Sequence, residues 1–225
     1  MNTTRRPSTS ATILASLALV ATMPLAVSAA DEAVASTFAG SLASPHDTFD
    51  LAWDSSSEIE LALDGDEPVV IDEAGAYRLS GSLTDGGLIV DSDADGTVWL
   101  ILDGVDIRSS SGAAIAILDA DDAVVWLAEG SDNHLTDAVD YVFADPAEDE
   151  PNAALYSADD LTIAGSGALT VQAAYNDGIT SKDGLVIADG TISVTAADDG
   201  IRGKDYLVIT DGTISVTAAG DGLTS

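Results

Sequence analysis

Short apolar runs with a two-residue repeat, such as Leu185 with Ile187 and Ile192 with Val194, are separated by Asp-Gly turns over much of the chain. Alternation of this kind is strand patterning, since a helix would show a 3.6-residue period. The runs recur as NDGITSKDGLVIADGTISVTAA from Asn176, DDGIRGKDYLVITDGTISVTAA from Asp198 and GDGLTS from Gly220, a period of 22 residues. An older copy, NAALYSADDLTIAGSGALTVQAA from Asn152, carries an insertion at Gly165-Ser166-Gly167, and degenerate copies start at Val98 and Ala123. Units of this length with three short strands apiece fit an all-β fold, the coils of a parallel β-helix (solenoid), each residue stacking on its counterpart roughly 4.8 Å away. Stacking predicts interior ladders: Ile179, Ile201, Leu223; Leu161, Leu185, Leu207; Ile163, Ile187, Ile209; Leu169, Ile192, Ile214; and Val171, Val194, Val216.

The ends depart from this pattern. Arg5 and Arg6, an apolar run from Ile13 to Val27 and the small residues Ser28, Ala29 and Ala30 predict a signal peptide over residues 1–30. At roughly 15 residues the run is shorter than a membrane-spanning helix of about 20 requires. The expected location is therefore secreted or extracellular, cell-surface attachment included, with no membrane insertion after cleavage. Residues 31–57, rich in Ser, Ala, Thr and Asp, are expected to be a flexible leader, and residues 58–225 the β-helix domain. The acidic stretch from Asp137 to Pro151 lies off the repeat and is expected to bulge as a surface loop. The chain stops at Ser225 as another coil opens, without the polar cap a solenoid end needs, so the expectation is a truncated domain or a covering partner.

Charge narrows the partners. The 225 residues carry 39 acids against 7 Lys and Arg, a formal charge of -32, with no cysteine. Nucleic acid and anionic bilayers need clustered cations and are excluded as partners. Disulfides, thiol catalysis and zinc-thiolate sites are excluded too. Asp outnumbers Glu 31 to 8, a bias that points to turns and oxygen ligands rather than to surface charge in general.

The period sets two Asp columns. One is Asp177, Asp199 and Asp221, flanked by Asn176 and Asp198; the other runs through Asp121 or Asp122, Asp159 or Asp160, Asp183 and Asp205. Carboxylates about 4.8 Å apart repel by roughly 1 kcal/mol in water and by several at lower dielectric. Ca2+ suits such columns because it takes six to eight oxygens with loose angular demands, although Asp-Gly also makes each turn unaided. A third acidic run, Asp91-Ser92-Asp93-Ala94-Asp95-Gly96, opens like a calcium loop, but its twelfth position is Leu102. An EF-hand is excluded there and a plain acidic turn is the expectation.

The run EPNAALYS, then YNDGI with SKDGL, ADDGIRGKD and GDGL, resembles the bacterial secreted carbohydrate-binding β-helix family whose founding clostridial member binds cellulose and acidic, pectin-like sugars. The resemblance implies a right-handed parallel β-helix similar to polysaccharide lyases, calcium between coils, and polysaccharide binding without established catalysis. On that basis Asn176, Asp177, Asp198, Asp199, Asp221, Asp183 and Asp205 are the candidate calcium ligands, and Tyr175, Lys182, Arg202 and Lys204 the candidate contacts to an acidic or cellulosic glycan. Guanidinium and ammonium groups suit a uronate carboxylate, while charge compensation of neighbouring acids is the plainer role for the three cations. Trp99 and Trp126 are either packing residues or exterior platforms. No catalytic residue is assigned. The alternatives are a lyase of similar architecture, needing a base of lowered proton affinity at Arg202 or Lys204, and a passive adhesin or surface scaffold.

Overall fold

The computed structural model describes residues 51–143, 145 and 147–225. The expected signal peptide and all but the end of the expected leader lie outside these residues. Strands run as β1 (Ile59–Gly65), β2 (Val69–Ile71), β3 (Gly75–Leu83), β4 (Leu88–Asp91), β5 (Thr97–Arg108), β6 (Ile115–Asp119), β7 (Asp122–Leu127), β8 (Asp132–Thr136) and β9 (Ala153–Ser157). They continue as β10 (Leu161–Gly165), β11 (Ala168–Ala173), β12 (Asp177–Ser181), β13 (Gly184–Ile187), β14 (Thr191–Ala196), β15 (Ile201–Gly203), β16 (Tyr206–Ile209), β17 (Thr213–Ala218) and β18 (Leu223–Thr224). Among the described residues the one helical element is a 3-10 turn at Ser55–Ser57, so the fold is all-β.

The strands form two sheets with parallel pairing. One has the order β16-β13-β10-β7-β5-β8-β11-β14-β17, with β3 beside β5 and β1 beside β3; the other runs β18-β15-β12-β9-β6-β4-β2. From β9 onward three strands recur per unit, one in the second sheet and two in the first. The pairing joins Leu161 to Leu185 to Leu207, Ile163 to Ile187 to Ile209, and Ile179 to Ile201 to Leu223. It likewise joins Leu169 to Ile192 to Ile214 and Val171 to Val194 to Val216. All five expected ladders are thus formed, and their members through Ile201 are at most 1% exposed. On the last rung the same column positions open to solvent, with Ile209 40% and Leu223 49% exposed.

Glycine decides where the first sheet bends. β5 is one strand of twelve residues pairing with both β7 and β8, whereas the corresponding β10 and β11 are separated at Gly165-Ser166-Gly167. Gly165 has φ +91°, and a Cβ there would collide with the Leu127 carbonyl, so the insertion seen in the repeat marks a backbone approach only glycine permits. Of the stretch expected to be a leader, residues 51–57 are described. Trp53 packs against Trp99 and Trp126 at 5.0 Å each, over an outward-facing cluster with Ala76, Ile101 and Val124. Its indole N–H donates to Glu58 Oε1 at 2.8 Å, and Glu58 is ion-paired to Arg78 at 2.7 Å. An apolar ring with a paired N–H is a stable seat.

Burial of a ladder residue supplies the packing energy, so Ile163→Ala, at a position 0% exposed, is expected to lower the free energy of unfolding by about 2–5 kcal/mol in chemical denaturation. A loss under about 1 kcal/mol would contradict a close-packed interior at that rung.

Candidate functional site

The turn into each second-sheet strand places an Asp at the start of β12 and its counterparts one unit on. Asp177 is 1% exposed. Its Oδ1 accepts from the Asp199 amide at 3.2 Å and its Oδ2 from Thr180 Oγ1 at 3.0 Å; Asp199 Oδ1 in turn accepts from the Asp221 amide at 2.8 Å. Each carboxylate in this column thus caps the N–H of its counterpart in the next unit, a charge-assisted bond that offsets stacking repulsion. Burial raises the proton affinity of Asp177, opposed by the amide and hydroxyl donors and by the Arg202 charge.

Some oxygens beside the column are not absorbed in this way. A Cβ at Gly220 would stand 2.5 Å from Asp198 Oδ1 and 2.6 Å from Asp199 Oδ1, so the Asp198 oxygen converges with the already capped Asp199 Oδ1 over a residue without a side chain. Asn152, which heads the Asn152, Asn176, Asp198 column, buries its Oδ1 without a hydrogen-bond partner. An all-oxygen set with an orphaned acceptor suits Ca2+ in donor type. Among the described residues, however, no group of three or more His, Asp or Glu side chains is already gathered closely enough to hold a metal ion.

In the second column Asp183 and Asp205 stand on adjacent units, the Asp205 amide donating to the Asp183 carbonyl at 3.0 Å. The Asp183 carboxyl is pushed up by burial first, then by the Asp160 charge and the contact with Asp205. Asp160 is a member that the repeat left paired ambiguously with Asp159. Its Oδ1 accepts from the Gly184 amide at 2.8 Å and from Tyr206 Oη at 3.2 Å. Tyr206 reaches back two units because its ring lies where a Gly184 side chain would be. Burial and the Asp160 charge raise its phenol above the ordinary range.

Arg202 lies in β15 in register with Thr180 of β12, and Lys182 and Lys204 stand in the bends that follow β12 and β15 on adjacent units. Lys182 Nζ is ion-paired to Glu150 Oε1, at the end of the 137–151 excursion, and Glu150 Oε2 accepts from Tyr156 Oη at 3.0 Å. Burial, then the charges of Arg202 and Lys204, lower the proton affinity of Lys182. Among the described residues Arg202 and Lys204 form no ion pair. Lys182 is thus held in an ion pair, whereas Arg202 acts on Asp177 only through space. Glu150 carried no repeat signal that would pair it with Lys182.

Tyr175 stacks on Tyr141 with ring centroids 4.1 Å apart and planes 17° apart. One ring face is therefore taken by the excursion. Tyr141 Oη donates to Asp137 Oδ2 at 2.9 Å and Asp137 Oδ1 accepts from the Ala174 amide at 2.6 Å, pinning the base of the excursion to the turn that carries Tyr175. The Trp53, Trp99 and Trp126 rings meet at 38° and 67°, a packed corner rather than a coplanar sugar platform. His134 is an exposed strand residue 3.5 Å from Asp132, and His46 lies outside the described residues.

Asp137 is 4% exposed and burial raises its carboxyl above 3.8 despite the donors around it. A folded-state pKa above the unfolded one means the folded chain binds the proton more tightly. Stability is then greatest below the ordinary carboxylate pKa and is lost as pH rises through the folded value. Asp137→Asn is expected to flatten this part of the stability profile in chelator-containing buffer, measured by denaturation from pH 3.5 to 7 (about the carboxylate range); parallel profiles for the two proteins would contradict it.

A family model described as "Carbohydrate-binding domain-containing protein" matches residues 65–225. A curated relative of the same description from Acetivibrio thermocellus is 44% identical over 128 residues, which is 57% of this chain and 45% of the relative. The chain thus spans less than half the length of that relative. A solved structure described as "polysaccharide lyase-like protein from C. thermocellum", a gadolinium derivative, matches with a TM-score of 0.64 and 38% identity, over 79% of this chain and 67% of that one.

Proposed function

The chain belongs to the family of carbohydrate-binding domain-containing proteins, and from that premise we propose a secreted, calcium-stabilised module that binds acidic polysaccharide of the polygalacturonate type. The observation that carries this reading is the pair Arg202 and Lys204, cations without ion-pair partners among the described residues in a chain of charge -32. A guanidinium offers a carboxylate two parallel N–H donors, and the neighbouring ammonium adds a mobile point charge. Glu150 holds Lys182 in place beside them, and the part-exposed ring of Tyr175 supplies an apolar surface of the kind a sugar ring covers. The 22-residue register and the two parallel sheets support a right-handed parallel β-helix as the winding of the chain. The basic and apolar N-terminal segment supports secretion, into surroundings where calcium is plentiful.

Calcium would be held by Asp198 and Asp199 over Gly220, with Asn152 and Asn176 in the adjoining column and Asp183 and Asp205 in the other. When bound it supplies positive charge that lets an acidic chain approach an acidic protein. Asp177 stays engaged with the Asp199 amide and Thr180, and so positions the turn.

A second reading, elimination on a uronate, is favoured by one observation: part-buried Lys182 stands beside the Arg202 and Lys204 charges, and burial with these charges lowers its proton affinity. A neutral Lys182 amine would take the proton next to the sugar carboxylate as the bond to the leaving sugar oxygen breaks and a carbon-carbon double bond forms, the departing oxygen taking a proton from water. Its ion pair with Glu150 opposes deprotonation, which places this reading second.

The double variant Arg202→Ala with Lys204→Ala is expected to weaken co-sedimentation with insoluble polygalacturonate about tenfold or more in calcium buffer, while leaving retention on cellulose unchanged. Equal binding by variant and parent would remove the cation site. Rising ultraviolet absorbance of unsaturated sugar, abolished by Lys182→Met, would turn the module into a lyase. No binding by the parent would leave a passive surface scaffold.

A further inference from the structure

Strands β11, β14 and β17 lie side by side in the first sheet, and all six residues of each pair with the next strand without a register shift. Leu169, Val171, Ile192 and Val194 are at most 1% exposed and point into the core, so the alternate positions face outward. Outward on β14 stand Thr191, Ser193 and Thr195, in register with Thr213, Ser215 and Thr217 of β17. Ala168, Thr170 and Gln172 of β11 extend the same rows. Seven of these nine side chains carry a hydroxyl and none carries a charge, in a chain with 39 acids.

The six hydroxyls of β14 and β17 belong to exposed residues, and among the described residues none of them is engaged by another side chain or by the backbone. Threonine favours strands on any sheet face, but solubility would be served equally by acids, which the outward positions of β1 and β5 use at Glu60, Asp64 and Asp103. The face also lies apart from the cations assigned to sugar, since Arg202 belongs to the second sheet.

Geometry gives the array two repeats. Stacked strands recur about every 4.8 Å across the sheet, and outward residues about every 6.6 Å along a parallel strand. The prism face of hexagonal ice presents oxygen atoms with repeats on the same two scales, and it is electrically neutral. A charged side chain would gather water into a shell of its own that no crystal plane matches, whereas a hydroxyl bridges to ordered water with little enthalpic loss. Threonine is β-branched and therefore restricted about χ1, so identical residues in register hold their hydroxyls and methyls in repeating positions. The buried Ile and Val rows beneath keep the strands from shifting.

We propose that the outward face of β11, β14 and β17 binds ice, holding over its Thr and Ser hydroxyls a layer of water that the crystal lattice continues. The ligand is the ordered water surface itself, so the face needs no pocket, metal ion or aromatic ring. Three strands make a patch of roughly 10 Å by 13 Å. So small a patch spans few lattice cells, which suits slowing the growth of existing ice grains rather than a deep depression of freezing.

Partition into ice tests it. The fluorescently labelled mature chain, in calcium buffer, is frozen slowly from a seed, and the fraction carried into the solid is measured alongside grain growth in an annealed frozen film. The parent, Ser193→Thr and a control on exposed Ser80 of β3, Ser80→Tyr, are expected to enter the ice and slow grain growth. Ser193→Tyr, which raises a ring from the middle of the array, is expected to stay in the liquid and to leave grain growth unchecked, with the same denaturation midpoint as the parent. Exclusion of the parent from ice would overturn the proposal, as would equal incorporation of Ser193→Tyr. Co-sedimentation with polygalacturonate keeps the two readings distinguishable. Ser193→Tyr is expected to bind it as the parent does, and loss of that binding would assign the face to a glycan and overturn the proposal.

Discussion

Parallel in-register stacking makes each side chain meet its own counterpart one unit away, and nearly everything else in the molecule follows from that. For apolar residues the consequence is favourable without further conditions. Ile163 rests on Ile187 and Leu161 on Leu185, each burying surface worth about 1.5–3 kcal/mol per side chain. For a charged residue the same geometry is adverse, because a carboxylate in one unit stands beside a carboxylate in the next. A chain with 39 acids has to resolve that conflict repeatedly.

It does so by three different means. Asp177 and Asp199 turn their carboxylates onto the amide of the next Asp in line, so that the backbone itself supplies the counter-dipole. Asp160 is held by the Gly184 amide and by a tyrosine that leans across a glycine from two units away. At Asp183, burial first, then the Asp160 charge and the neighbouring Asp205, push the carboxyl up, so that it holds its proton more tightly. What these leave over, at Asp198 beside Asp199, is a carboxylate with no ion-pair partner among the described residues. A cation recruited there would serve the fold. On the cationic strip of Arg202 and Lys204 it would also set the sign of charge that an acidic glycan meets.

The ladders were legible because the same residue types recur at constant spacing, so one alignment of the chain with itself fixes Ile179 over Ile201 and Val171 over Val194. The candidate residues were legible for the same reason, as columns. Their partners were not. A backbone amide has no letter in the sequence, so nothing in the repeat says that Asp199 N rather than a metal faces Asp177. Glu150 lies in the non-repeating excursion, 32 residues from the lysine it pairs with. Trp53 sits in a stretch whose composition reads as a leader, yet the seat that orders it is made by Trp99 and Trp126 far along the chain. Periodicity reports what stacks on what. Contacts that cross between repeat and non-repeat segments leave no period to find.

The proposed calcium would complete carboxylate columns that the protein itself satisfies only in part. It is tested most directly by the melting temperature of the mature chain in calcium, in magnesium and in chelator, all at one ionic strength. A rise confined to calcium is predicted, since screening by salt alone is held constant. Equal melting temperatures in all three would contradict it, and would mean that the amide donors alone support the stacked acids.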